Sequence, residues 1–202
     1  MNNIDESQDI HAPKDAPNFR FIIQDRPVVI GLGLAAWRSQ CPEMLESGRV
    51  VFQDHDFFQP QPPLSPPHLK SYAAIYLLRV VLHDWPDEFA RRILVNLRRT
   101  SGPETKLLIA DHVLPLVCWT LDSVLAHLEG AESALAMPPL LPNLGKATAN
   151  AYWMDLLMHI TFNGKERTLR ELCALALSAG WRVARMSRSE GSMFAYLVCV
   201  PI

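Results

Sequence analysis

The sequence has no excess of positive charge: its 19 Lys and Arg stand against 21 Asp and Glu, a formal net charge of -2. Without a basic field, neither nucleic-acid phosphates nor an anionic membrane surface is an expected partner, and a small molecule is. No apolar run approaches the length of a membrane span. Met1 to Asp15 is polar and acidic, without the basic start and apolar stretch of a signal peptide, so the cytoplasm is the expected compartment. Cysteine is scarce: Cys41, Cys118, Cys173 and Cys199 lie far apart with no CxxC pair. That spacing suggests neither a zinc site nor a disulfide framework; reduced core thiols and no metal are expected. No internal repeat is present.

What is there suits a buried core: 49% of the 202 residues are hydrophobic, and the length fits one domain. Residues 1–18 carry two prolines and no apolar periodicity, the composition of a disordered leader, so order is expected over 19–202. Phe19 to Ile23 reads as a strand stopped by Asp25-Arg26-Pro27, and Val50 to Phe52 as a second, followed by a proline-rich loop. Ala73 to Leu82 is nearly continuously apolar, the pattern of a strand covered on both faces. Asp84 to Glu88 opens a helix with a buried stripe of Phe89, Ile93, Leu94 and Leu97, and Lys106 to Ala110 is another buried strand. Strand, helix, strand is a crossover unit of an α/β sheet. Residues 117–146 loosen into a short helix (Leu125 to Met137) and a loop, read as a lid or an insertion. Ala147 to Thr161 reads as a helix. Thr168-Leu169-Arg170-Glu171 has capping-box spacing ahead of an apolar stripe of Leu169, Leu172, Cys173, Ala176 and Leu177 that Gly180 closes. Trp181 to Met186 and Met193 to Val200 form an antiparallel hairpin.

At Leu82-His83-Asp84-Trp85-Pro86-Asp87 the sequence resembles the plant and fungal small-molecule O-methyltransferases related to caffeic acid O-methyltransferase. Phe21-Ile22-Ile23-Gln24-Asp25, His55-Asp56-Phe57-Phe58, Tyr76-Leu77-Leu78-Arg79, Leu107-Leu108-Ile109-Ala110-Asp111 and Gly164-Lys165-Glu166-Arg167-Thr168 match further family blocks in order. The resemblance implies a Rossmann-like class I SAM-methyltransferase fold: an α/β, mostly parallel sheet with a C-terminal antiparallel hairpin, using S-adenosyl-L-methionine (SAM). In the family an earlier strand, a DxGxGxG-type turn and a helical dimerisation domain precede the Phe19 strand. None is matched here, so a catalytic domain truncated at its N-terminal side is expected, arising from a truncated or wrongly assigned reading frame and without the usual dimerisation. Gly31-Leu32-Gly33 follows the acidic strand end instead of preceding it and reads as turn or packing.

Methyl transfer to a phenol needs a base, because a phenol is mostly protonated at neutral pH. From pattern alone His83 could cap a helix or fill the core; the resemblance makes it the general base. Asp111 and Glu166 match the acids that brace such a histidine, although each alone could be a turn or loop charge. For the cofactor, Asp25 resembles the ribose-binding acid, Asp56 and Phe57 match positions around the adenine, and Arg79 matches a basic residue nearby. Turn, loop, core and edge roles remain open for these four. Trp153 and Met158 fall where the family faces its acceptor, though a stripe of this kind also suits plain core. The implied reaction is methyl transfer to a hydroxyl of an aromatic or polyketide-like secondary metabolite. Two alternatives remain at this point: a SAM-binding dehydratase or pericyclase, and a non-catalytic fragment or interaction partner.

Overall fold

The computed structural model describes residues 19–62, 72–117, 125, 127–136, 139–188 and 194–202. The expected leader, Cys118, Ala126 and Met137 of the expected Leu125 to Met137 helix, and Met193 of the expected hairpin lie outside them. The chain divides into two compact units, Met1–Asp56 and Phe57–Ile202.

In the first unit β1 (Phe21–Asp25) and β2 (Val50–Asp54) pair in parallel, Phe21 opposite Val50 and Asp25 opposite Asp54. Between them run α1 (Pro27–Gln40) and the short α2 (Pro42–Glu46). The helix α1 was not expected. Two glycines and an apolar sequence on all sides hide its periodicity, yet Pro27 at its first turn supplies a preset φ where the missing N–H costs nothing. Gly31-Leu32-Gly33 therefore lies inside a helix and is no turn. Its packing role holds at Gly33, where a Cβ would stand 2.7 Å from the Phe52 ring of β2.

In the second unit the sheet order is β3-β4-β7-β6, with β3 (Ile75–Arg79) parallel to β4 (Lys106–Leu114) and β7 (Phe194–Pro201) antiparallel to both β4 and β6 (Trp181–Arg188). The class of sheet and the closing hairpin are those expected. The strand expected over Ala73 to Leu82 is shorter and is not covered on both faces: Tyr76 and Leu78 pack on the core, while Leu77 is 61% exposed. A strand alternates its side chains, and β3 has core on one side only.

The crossover helix α3 (Asp87–Arg99) buries Ala90, Ile93, Leu94 and Leu97. Phe89, expected in that stripe, lies off it and is largely exposed, its ring resting on Phe58 and Trp85. Trp181 is completely buried against α3 and donates its indole N–H to the Leu94 carbonyl at 3.0 Å, which meets the polar requirement of so deep a ring. Helix α5 (Leu169–Ser178) carries the expected capping box: Glu171 N–H donates to Thr168 Oγ1, and Thr168 N–H to Glu171 Oε2. Its buried stripe is Leu169, Leu172, Leu175 and Ala176; Leu177 is exposed because the stripe advances by threes into Ala179. Gly180 then takes φ +84°, the left-handed turn open to glycine. Where a helix was expected from Leu125, the described residues hold a 3-10 turn at Ala131–Ala134, with Leu125 and Ala131 in the core. Helix α4 (Ala149–Phe162) agrees with expectation and ends at Asn163 in the left-handed region.

Candidate active site

The site is built at a gap in strand pairing. One edge of β4 pairs with β3 as far as Ala110 and, from Val113, with the two-residue β5 (Arg167–Thr168). Asp111 and His112 lie between those two partners. Into this interval turns the segment after β3: Val80 N–H still reaches the Ala110 carbonyl at 2.9 Å, and the chain then folds into a 3-10 turn over Leu82–Asp84. Val80 makes that turn at φ +55°, a left-handed conformation that a β-branched residue adopts at a cost of about 1–2 kcal/mol. Strain at such a point is characteristic of a segment held for function.

The turn delivers His83, which is 7% exposed, to two carboxyl groups each 2% exposed. His83 Nδ1 lies 2.9 Å from Glu166 Oε1 and 3.8 Å from Asp111 Oδ1, so Nδ1 carries the proton and donates a hydrogen bond to Glu166. Nε2 is left as the lone-pair atom, with Asp84 Oδ1 3.4 Å away. Burial pulls the imidazole down, but the Glu166 hydrogen bond and the charges of Asp111, Glu166 and Asp84 outweigh it and hold His83 above its ordinary 6.5. Asp111 is pushed up to about 6, chiefly by burial, with the opposing pull of His83 only partly offsetting it. Asp111 is not a strand end, as expected, but an interior residue of β4, which continues to Leu114.

Several residues outside the expected set hold this arrangement. Arg167 is 2% exposed, and its guanidinium donates to the carbonyls of Leu82 and Trp85, both at 2.7 Å, and to Asp87 at 3.0 Å, pinning the turn on both sides of His83. Gly164 passes so close to the same turn that a Cβ would stand 2.1 Å from the His83 carbonyl oxygen. Lys165 N–H donates to that carbonyl at 2.9 Å. Helix α4 orients the Glu166 loop from the other side: Asp155 accepts the Glu166 N–H at 2.9 Å, and His159 Nδ1 donates to the Gly164 carbonyl at 2.7 Å. The Gly164 to Thr168 block contains three of these residues, yet nothing in the sequence distinguishes their tasks.

The other expected site residues are spread more widely. Asp25 and Asp56 fall in the first unit, Phe57 and Arg79 in the second. Phe57 packs edge-on against Phe58 and Trp85, and the Arg79 guanidinium lies 5.4 Å from the centroid of the Phe194 ring. Trp153 lines a cavity of about 330 Å³ together with His112, Asn150, Met154 and Leu157; Met158 is buried and is not part of that wall. Among the described residues no helix is long and apolar enough to cross a membrane.

Residues 11–120, more than half of the chain, match the family model of the O-methyltransferase domain. The chain belongs to that family. It is 41% identical over 184 residues to 4-O-methyltransferase 1 of Phanerochaete chrysosporium, a match covering 91% of this chain and 38% of the relative. The chain thus spans less than half the length of that curated relative. Among solved structures it resembles OxaC in complex with SAH and oxaline, at a TM-score of 0.63 and 25% identity, covering 91% of this chain and 36% of that one. A pericyclic reaction enzyme matches with a TM-score of 0.62 over 91% of this chain and 36% of that one; at 23% identity it shows the shared fold alone. These likenesses establish the class I SAM-methyltransferase fold for the O-methyltransferase-family chain.

Proposed function

We propose that the protein transfers a methyl group from SAM to a hydroxyl of an aromatic or polyketide-like secondary metabolite, with His83 as the general base and Glu166 and Asp111 holding it. The observation that carries this reading is the buried Nδ1–Oε1 hydrogen bond of 2.9 Å with a second carboxylate 3.8 Å away. It fixes one tautomer and leaves Nε2 free to take the hydroxyl proton. The two carboxyl groups and Asp84 then stabilise the imidazolium. No metal is needed for this proton transfer, although the three donor atoms lie within 4.8 Å of one another.

When bound, SAM supplies an electrophilic methyl on a positively charged sulfur. Asp25 suits its ribose: the residue is exposed at the carboxyl end of a parallel strand, one oxygen accepts the Arg26 N–H at 2.7 Å, and a carboxylate has further acceptor capacity for two adjacent hydroxyls. Asp56, Phe57 and Arg79 complete the proposed cofactor residues, and Trp153 and Met158 the proposed acceptor residues. The net charge of -2 suits a small-molecule substrate better than nucleic acid or an anionic membrane surface, and the buried Cys199, in no disulfide among the described residues, suits a reducing compartment such as the cytoplasm.

The test is incubation with SAM and a panel of phenols, followed by mass spectrometry for a gain of one methyl. His83→Ala is expected to lower kcat by about 10²–10⁴ while SAM affinity by calorimetry is unchanged. Since only neutral His83 can accept a proton, and its pKa is raised, kcat/KM should fall on acidification with a midpoint above 6.5. Undiminished turnover in His83→Ala would overturn the assignment.

A further inference from the structure

A second imidazole stands beside the first. The rings of His83 and His112 are parallel within 4°, with centroids 6.2 Å apart. His112 follows Asp111 directly on β4, and because strand side chains alternate, the two neighbours look to opposite faces. Its ring is held by Phe194, the residue paired with it across β7, at 4.3 Å between centroids. The Arg79 guanidinium over the same phenyl ring completes a layered wall.

The two nitrogens of His112 are in unlike situations. Nδ1 is buried and has no hydrogen-bond partner among the described residues. An orphaned buried N–H is rarer than an under-satisfied acceptor, so the proton belongs on Nε2. The residue is only half-buried and lines the 330 Å³ cavity, so the accessible edge of the ring is the one that carries Nε2. Burial, reinforced by the neighbouring charge of His83 against the pull of Glu166, lowers the pKa of His112 and keeps the ring a neutral donor. The rest of the cavity wall is Asn150, Trp153, Met154 and Leu157, largely apolar and suited to a flat ring. A polar donor placed on such a wall confers orientation, because leaving it unpaired when the wrong molecule binds costs affinity.

We propose that His112 determines acceptor specificity: its Nε2–H donates a hydrogen bond to a second oxygen of an aromatic acceptor, adjacent to the hydroxyl presented to His83. The acceptor class is therefore an arene bearing two neighbouring oxygens, and this inference rests on the methyltransferase reading of the site.

The experiment measures calorimetric binding of 2,3-dihydroxynaphthalene and 2-naphthol to the whole chain, with methyl gain recorded separately. The wild type is expected to bind the two-oxygen probe about fivefold more tightly. His112→Phe keeps a flat ring against Phe194 but has no N–H, and should abolish that preference while leaving 2-naphthol affinity unchanged. His112→Gln restores a donor and should recover part of it. A wild type without the preference, or a preference that survives in His112→Phe, overturns the proposal. A His112-dependent preference without methyl gain would refute the methyltransferase reading and leave the binding role standing; methyl gain without the preference would do the reverse.

Discussion

Asp111→Asn should make the protein more stable at neutral pH. The folded structure pushes this carboxyl from 3.8 up to about 6, chiefly because ionising it means burying a charge. A raised folded pKa means that the protonated form favours folding: its contribution is complete below pH 3.8 and is lost as the pH rises through about 6. The displacement is equivalent to roughly 3 kcal/mol, a large share of a domain's total stability. Asparagine cannot ionise, and its Oδ1 can still accept the His112 N–H that Asp111 accepts at 3.0 Å. Urea unfolding of both proteins at intervals from pH 4 to pH 7.5 gives the stability difference at each pH. The variant's advantage should grow by about 2–2.5 kcal/mol across that range, because part of the effect is already lost at pH 4, whatever constant offset the amide introduces. The same substitution should slow methyl transfer, since the imidazolium loses a charge partner at 3.8 Å. Parallel pH profiles for the two proteins would refute the reasoning.

Other perturbations read other parts of the site. Gly164→Ala forces a Cβ against the His83 carbonyl and should cost about 1–3 kcal/mol in chemical denaturation, with a fall in kcat larger than any rise in KM. Arg167→Ala removes the pin on Leu82 and Trp85 and leaves buried carbonyls unpaired, at a cost of about 3–5 kcal/mol in the same assay; Arg167→Lys should recover only part, because an ammonium cannot span three acceptors with a planar fork. Thr168→Ala removes the cap of α5 and should destabilise by about 1 kcal/mol without changing KM for the acceptor. Dialysis against EDTA should leave turnover unchanged if the three site donors handle a proton rather than a cation.

Much of this was legible in the chain because the signals are local. Thr168 and Glu171 make a capping box from four consecutive residues, so its chemistry is visible before any fold is known. The stripe of Ile93, Leu94 and Leu97 marks α3 in the same way. Helix α1 was not legible, since its glycines and all-round apolar surface carry no periodicity, and the need for Gly33 comes from a phenyl ring on another element. The ends of strands were also misjudged. Ala73 to Leu82 reads as one buried run, yet the chain must leave the sheet after Arg79 to deliver His83.

By itself the sequence determined that strands and helices alternate, which histidine and acids match the family's blocks, and that an α/β sheet closes in a hairpin. Only the tertiary structure decided that Glu166 rather than Asp111 takes the direct hydrogen bond from His83, that Arg167 and Gly164 hold the turn, and that His112 stands beside the site with one nitrogen unpartnered among the described residues. The reason is physical: partners in the Glu166–His83 pair are 83 residues apart. Their meeting depends on where β3 stops along β4, a register set by pairing between distant segments and not by any residue's own preference.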